Sequence, residues 1–386
     1  MCLAGRVSSC HEEQVAQADA QLATAMGMEL LQLKTNRSVL ATQGPRIDIA
    51  PGLPVPDAVI VVETPVPGLP PTSMNSDWLA EAQLSPLFPT NISAGERVNT
   101  NLPHSTQCSG GIVFVHYHKT GNVWVQEAVP IFSEMGFNAH DQIQNFTVTL
   151  YKEGMVVLDY LSSDAPSPGP GEVVEINTPG EDWDFPTDAC VVHWQRSPVD
   201  LVLSSYPYHA NSISAEDWEN VSGACLRCSH EDLAGLFGIC NFSCSYLGLL
   251  EAVDEETGLA IDAIMERNMM TKMLQNANRW TNNAQVLHLS VEHLEADYEA
   301  TMHCMLRFLH LDANAELFHG LQSADLSRRN TTGAHSTHDK YNSTFGRIFL
   351  EQHAVWGPEF RAAHMIIANL NWRQAGQYGC PMPAHD

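Results

Sequence analysis

Positive charge is scarce in this sequence. Its 386 residues carry 19 Lys plus Arg against 45 Asp plus Glu, a formal net charge of −26. A generic nucleic-acid binder needs a basic footprint to release phosphate counterions, and adhesion to an anionic bilayer needs clustered cations. Both partner classes are excluded on charge. Long apolar runs are lacking too: no stretch of 18 apolar residues occurs, so nothing reads as a bilayer-spanning helix. The opening MCLAGRVSSCHEEQ has no apolar core of a secretory signal. Two expectations follow, a signal or anchor upstream of Met1 or a cytoplasmic protein. Cysteine, at ten residues, is too sparse for a disulfide-stapled miniprotein but sufficient for a few bridges in a secreted domain.

What is present is the composition of a soluble globular protein, with 44% hydrophobic and 17% charged residues. At roughly 150 residues per domain, the length fits one catalytic-size domain with extras, or two domains. Asn-x-Ser/Thr sequons stand at Asn36, Asn91, Asn145, Asn220, Asn241, Asn330 and Asn342. That is more than composition would give by chance, and it favours a glycosylated, lumenal or secreted protein.

Residues 11–33 carry Ala, Leu and Met at helical spacing. Residues 44–72 hold eight Pro, which fix φ and break ladders and helices, so they read as extended linker or irregular wrap. Residues 1–105 therefore read as an N-terminal appendage, and residues 106–386 as the catalytic domain with a Cys-rich insert at about 220–250.

The domain opens with a β-branched apolar run, Gly111 to Tyr117, the pattern of a buried parallel strand. HKTGN follows, then VWVQEAVPIFSEMG, which fits a helix ending at Gly136. A second unit pairs a strand over Asp188–Arg196 with a helix from Pro198. Residues 259–280 read as a helix, 284–290 as a strand, and the segment from Val291 through Leu311 as one further helix. Strands alternating with helices predict an α/β fold, three layers around a mainly parallel sheet.

The first turn, Lys119-Thr120-Gly121-Asn122, is not the GxxxxGK[ST] sequence, because Lys precedes Gly. Its physics is similar. Gly121 lets backbone approach an anion, the following helix supplies a positive N-terminus, and Lys119 adds a full charge. Lys119 is one of only five Lys in the chain. The second unit offers Arg196 at a strand end and Ser204 eight residues later. A bidentate guanidinium and a neutral hydroxyl donor suit a phosphate. Asp200 between them could accept a capping or an Arg hydrogen bond.

Together these motifs resemble the sulfotransferases that use 3′-phosphoadenosine 5′-phosphosulfate (PAPS). FVHYHKTGNVWVQ resembles their 5′-phosphosulfate loop. RSPVDLVLSSY resembles their 3′-phosphate motif with the same Arg-to-Ser spacing. LHLSVEHLEADYEATMHCMLRFLHL resembles their later strand and helix. The resemblance spans about residues 110–312 and implies a P-loop-like nucleotide-binding fold, PAPS as sulfuryl donor with no metal, and a lumenal, Golgi or secreted enzyme. It implies that Lys119 contacts the oxygen bridging phosphate and sulfate. Thr120, Gly121, Asn122 and Val123 would line the phosphosulfate, Trp124 would pack at the helix start near the adenine, and Arg196 and Ser204 would hold the 3′-phosphate. The sequence departs from the pattern at His118, where Pro is usual, and at Asn122-Val123, where Thr-Thr is usual.

Sulfuryl transfer also calls for a base near the acceptor hydroxyl. The His of the family's cytosolic branch is replaced by Asn177. The candidates here are Asp141 and His140 in FNAHDQIQ, then Glu175. Arg328 and Arg329, with Lys340, form a late basic segment that could cover the donor. Cys225, Cys228, Cys240 and Cys244 have a spacing open to two disulfides, a tetrahedral zinc or free thiols, with flanking sequons favouring disulfides. The expected activity is sulfation of a hydroxyl on a carbohydrate or small molecule. The alternatives are a non-catalytic secreted binding module on a degenerate fold, or a P-loop-like phosphotransferase.

Overall fold

In the computed structural model, residues 76–89, 108–140, 146–150, 156–160, 168–179, 183–184, 187–210, 224–226, 235–237, 244–325 and 344–383 are described. The expected helix at 11–33, the Pro-rich stretch, and Asp141, Cys228, Cys240, Arg328, Arg329 and Lys340 lie outside them.

In chain order the strands are β1 (Ile112–His116), β2 (Asn138–His140), β3 (Phe146–Leu150), β4 (Val156–Tyr160), β5 (Glu172–Asn177), β6 (Cys190–Gln195), β7 (Ala224–Leu226) and β8 (Val286–Ser290). The helices are α1 (Ser76–Gln83), α2 (Asn122–Glu134), α3 (Pro198–His209), α4 (Tyr246–Ala252), α5 (Glu255–Arg279), α6 (Val291–Ala296), α7 (Tyr298–Phe308), α8 (Ala315–Gln322), α9 (Thr344–Gln352) and α10 (Trp356–Tyr378).

The main sheet has the order β2-β5-β1-β6-β8, and every pairing in it is parallel. β1 lies in the middle and all five of its residues are buried, because helices cover both faces. Its side chains alternate between two cores. Val113 and Val115, followed by Tyr117, join Leu201 and Val202 of α3 and the Met-rich face of α5. Ile112 and Phe114 join Trp124 and Phe132 of α2 and Met302 and Met305 of α7. This is the α/β layering that a β-branched strand without polar alternation calls for. A second sheet, β3-β4-β7, has β3 antiparallel to β4 and β4 parallel to β7. The sequence reading did not find it: residues 146–160 carry no Gly or Pro punctuation except Gly154.

Two boundaries differ from expectation. The helix expected after β8 is two helices, α6 and α7. Asp297 leaves helical geometry (φ −160, ψ 96) and its side chain accepts from the Ala300 N–H, so it caps α7 instead of continuing α6. Residues 76–89, which the sequence places in the appendage, belong to the core. Leu87 and Phe88 are buried with Trp356 and Phe360, and the Leu87 N–H donates to Glu359 Oε2 at 2.8 Å.

Disulfides join Cys108 to Cys190 and Cys304 to Cys380. Cys244 is also disulfide-bonded, which removes it as a zinc ligand. Among the described residues no helix is long and apolar enough to cross a membrane. Alkylation of the denatured, unreduced chain followed by intact-mass analysis should leave Cys108, Cys190, Cys304 and Cys380 unlabelled. Changing both Cys304 and Cys380 to Ala should lower stability by about 2–5 kcal/mol. Full labelling of all four without reductant would refute the pairing.

Candidate functional site

The strand order sets the location. The chain leaves β1 through α2 toward β2 on one side, whereas β6 flanks β1 on the other. At such a switch point the connections diverge and leave a crevice outside the carboxyl ends of the strands. The residues there are the 117–121 turn after β1 and Arg196-Ser197 after β6.

The turn is closed from inside. Thr120 Oγ1 accepts from the Tyr117 N–H at 2.7 Å and donates to the Tyr117 carbonyl at 3.0 Å. Thr120 is fully buried, so its hydroxyl braces the turn and does not line the crevice. Lys119 takes a left-handed conformation (φ 59), as does Gly121 (φ 94). Gly121 is the N-cap of α2 and has no side chain with which to cap it. The first intrahelical bond runs from the Val125 N–H to the Gly121 carbonyl. The N–H groups of Asn122, Val123 and Trp124 therefore have no helical carbonyl behind them. Asn122 and Val123 are half-buried at this end. Trp124 packs at the helix start, with its ring fully buried, its indole N–H donating to Tyr298 Oη at 2.9 Å and its face on Trp194. It offers a ligand its backbone only.

Arg196 reaches this turn directly. Its Nη1 donates to the Lys119 carbonyl at 3.1 Å. Its Nε is buried and makes no hydrogen bond, with Glu292 Oε1 3.9 Å away. Burial raises the Glu292 carboxyl above its ordinary range, the Arg196 charge lowers it, and Asp200 raises it further. Asp200 pairs with Arg347 of α9 and not with Arg196. Ser204 lies half-buried on α3. Lys119 Nζ sits over the Tyr208 ring, 2.9 Å from its centroid.

The other candidates are placed apart. Glu175 is buried in β5 and its Oε1 is 2.8 Å from His116 Nε2. His140 ends β2, an edge strand two positions from β1, roughly 10 Å across the sheet.

Sequence reasoning missed the histidine chemistry around the turn. His118 Nδ1 is 2.7 Å from Glu266 Oε1 of α5, and its ring stacks on His209 of α3 with centroids 5.1 Å apart. The deviant residue before Lys119 was the one available signal. Beneath the turn runs a buried chain whose partners fix its protons. His288 Nε2–H donates to the Trp280 carbonyl, leaving Nδ1 to accept from His193 Nδ1–H at 3.0 Å. His193 Nε2 then accepts from the Tyr117 hydroxyl at 3.1 Å, and that oxygen accepts from Asn276 Nδ2 at 2.9 Å. Both rings are neutral in this arrangement. Burial pushes His193 down to about 3 and His288 well below its usual value.

No protein-family model matches this chain, and no characterised protein matches it in sequence.

Because the folded state depresses these two histidines, the unfolded chain binds more protons below about pH 6.5. Their stabilisation is complete above that pH and is lost as pH falls; for His193 the loss runs toward about pH 3, with a slope of roughly 1.4 kcal/mol per pH unit, and His288 adds a loss in the same direction. Urea unfolding between pH 7.5 and 4 should show this decline, shallower in His193→Asn. A wild-type midpoint unchanged from pH 7 to 5 would refute it.

Proposed function

We propose that the chain is a PAPS-dependent sulfotransferase with a P-loop-like donor site, acting on a hydroxyl of a carbohydrate or small molecule. One observation carries this reading. The strand switch point brings the uncapped N-terminus of α2, the Lys119 turn and Arg196 to one crevice, with the Arg196 Nη1 on the Lys119 carbonyl at 3.1 Å. That arrangement supports the reading of a site that takes more than one anionic group. The buried Arg196 Nε, which has no hydrogen-bond partner, fits a phosphate at that end.

The donor supplies an activated sulfuryl group. In the transfer, the acceptor oxygen forms a bond to sulfur while the bond from sulfur to the bridging oxygen breaks, and the hydroxyl proton leaves to a base. Charge builds on the departing phosphate. The N–H groups of Asn122, Val123 and Trp124 and the Lys119 ammonium, released from the Tyr208 face, stabilise it. Arg196 and Ser204 hold the 3′-phosphate, with Arg347 a further cation on the adjoining helix. The base remains among His140, Asp141 and Glu175; the His116 contact makes Glu175 the least suited. The net charge of −26 disfavours polyanionic acceptors at long range. The sequons and disulfides support a lumenal or secreted setting, with the Golgi lumen as the proposed compartment.

Calorimetry with adenosine 3′,5′-bisphosphate, and ATP as control, tests the donor site. The bisphosphate should bind more tightly than ATP, and Arg196→Ala should lose about 1.5–3 kcal/mol. Absence of binding to the folded chain would overturn the reading and favour a non-catalytic module. A separate outcome concerns Lys119→Ala. It should cut single-turnover sulfuryl transfer by roughly 10²-fold or more while the bisphosphate still binds. Unchanged turnover in that variant would remove Lys119 from the chemistry.

A further inference from the structure

We propose that His118, His209 and Glu266 bind one divalent transition-metal ion, with zinc the best match to their donor set. The three side chains come from different elements, the β1–α2 turn, the end of α3 and the middle of α5, and all three are buried. Their donor atoms lie within 4.8 Å of one another. Two imidazoles and a carboxylate form a nitrogen–oxygen set that leaves a coordination position for water or a ligand. It lacks the thiolates that would select copper(I) or an iron–sulfur cluster.

The surroundings are those of a supported metal ligand. Asp262 is fully buried and its Oδ1 lies 2.6 Å from His209 Nδ1. A carboxylate on one ring nitrogen orients a histidine and makes its other nitrogen the metal donor. Asp262 is itself held, accepting from the Tyr246 hydroxyl at 2.8 Å and from the Ser205 hydroxyl. The stacking of the two rings points the same way. Two imidazoliums with centroids 5.1 Å apart would repel each other, whereas two neutral rings can share one divalent cation beside a buried carboxylate.

The ion would have a mechanical role. His118 directly precedes Lys119, so coordination ties the crevice turn to α3 and α5. The site goes beyond the sulfotransferase reading and does not depend on it.

The experiment is elemental analysis and Co²⁺ titration of the full-length chain, before and after chelation. The expected result is about one equivalent of Zn²⁺ or Co²⁺ per chain. Bound Co²⁺ should give visible d–d bands without an intense thiolate charge-transfer band. Chelation should lower the melting temperature. Uptake should be lost in His209→Ala and in Glu266→Gln, which keeps volume should the first variant fail to fold. A folded wild type without stoichiometric uptake would overturn the site. So would uptake unchanged in both variants, or a thiolate band that moves the ion to the cysteines. Bisphosphate calorimetry on the chelated protein reports on the donor site separately, so either reading can fail without the other.

Discussion

The short turn from Tyr117 to Gly121 is the constraint on which the crevice depends. A strand buried on both faces must deliver its chain to a helix without leaving backbone groups unpaired. Thr120 achieves this by folding its hydroxyl under the turn onto both backbone groups of Tyr117. With the inside of the turn satisfied, two left-handed residues can turn the next N–H groups outward, at the start of a helix that lacks a cap. Tyr117 is fixed from below by the His193–His288 chain, and its neighbour His118 is fixed from the side by α5. The loop is therefore braced by polar groups in the core and not by surface contacts.

Much of the fold was legible in the sequence because the main sheet obeys simple patterning. Unbroken apolar runs such as Ile112–His116 and Cys190–Gln195 are buried on both faces, and the helices between them start near Asn122 and Pro198 as turn chemistry requires. What escaped was decided by tertiary context. Asp297 breaks a continuous helical pattern because its side chain competes for a backbone N–H. Residues 76–89 are separated from the core in sequence by a long polar stretch, and only packing, with Leu87 and Phe88 buried and Trp78, Leu79 and Ala82 against the same cluster, reveals where they belong.

The candidate site was legible in part for the same reason. Lys119, Gly121 and Arg196 announce themselves by being rare residue types at strand ends. Arg347, His209 and Glu266 come from elements distant in sequence and sit on helices whose patterns read as ordinary packing faces. Thr120 and Trp124 looked like site residues by position, yet their side chains serve the turn and the core. A local motif identifies the backbone that meets a ligand far better than it identifies which side chains do.

The Cys108–Cys190 bond has a topological consequence. It links the segment just before β1 to the first residue of β6, so everything from residue 109 to 189 lies within one covalent ring. The two strands that floor the crevice are thus riveted at the end opposite the turn. A single peptide-bond break anywhere inside the ring yields fragments that cannot drift apart. Between that bond and the turn, the parallel β1–β6 ladder continues the connection, so separating the two strands would have to break hydrogen bonds as well as bend away from a fixed end.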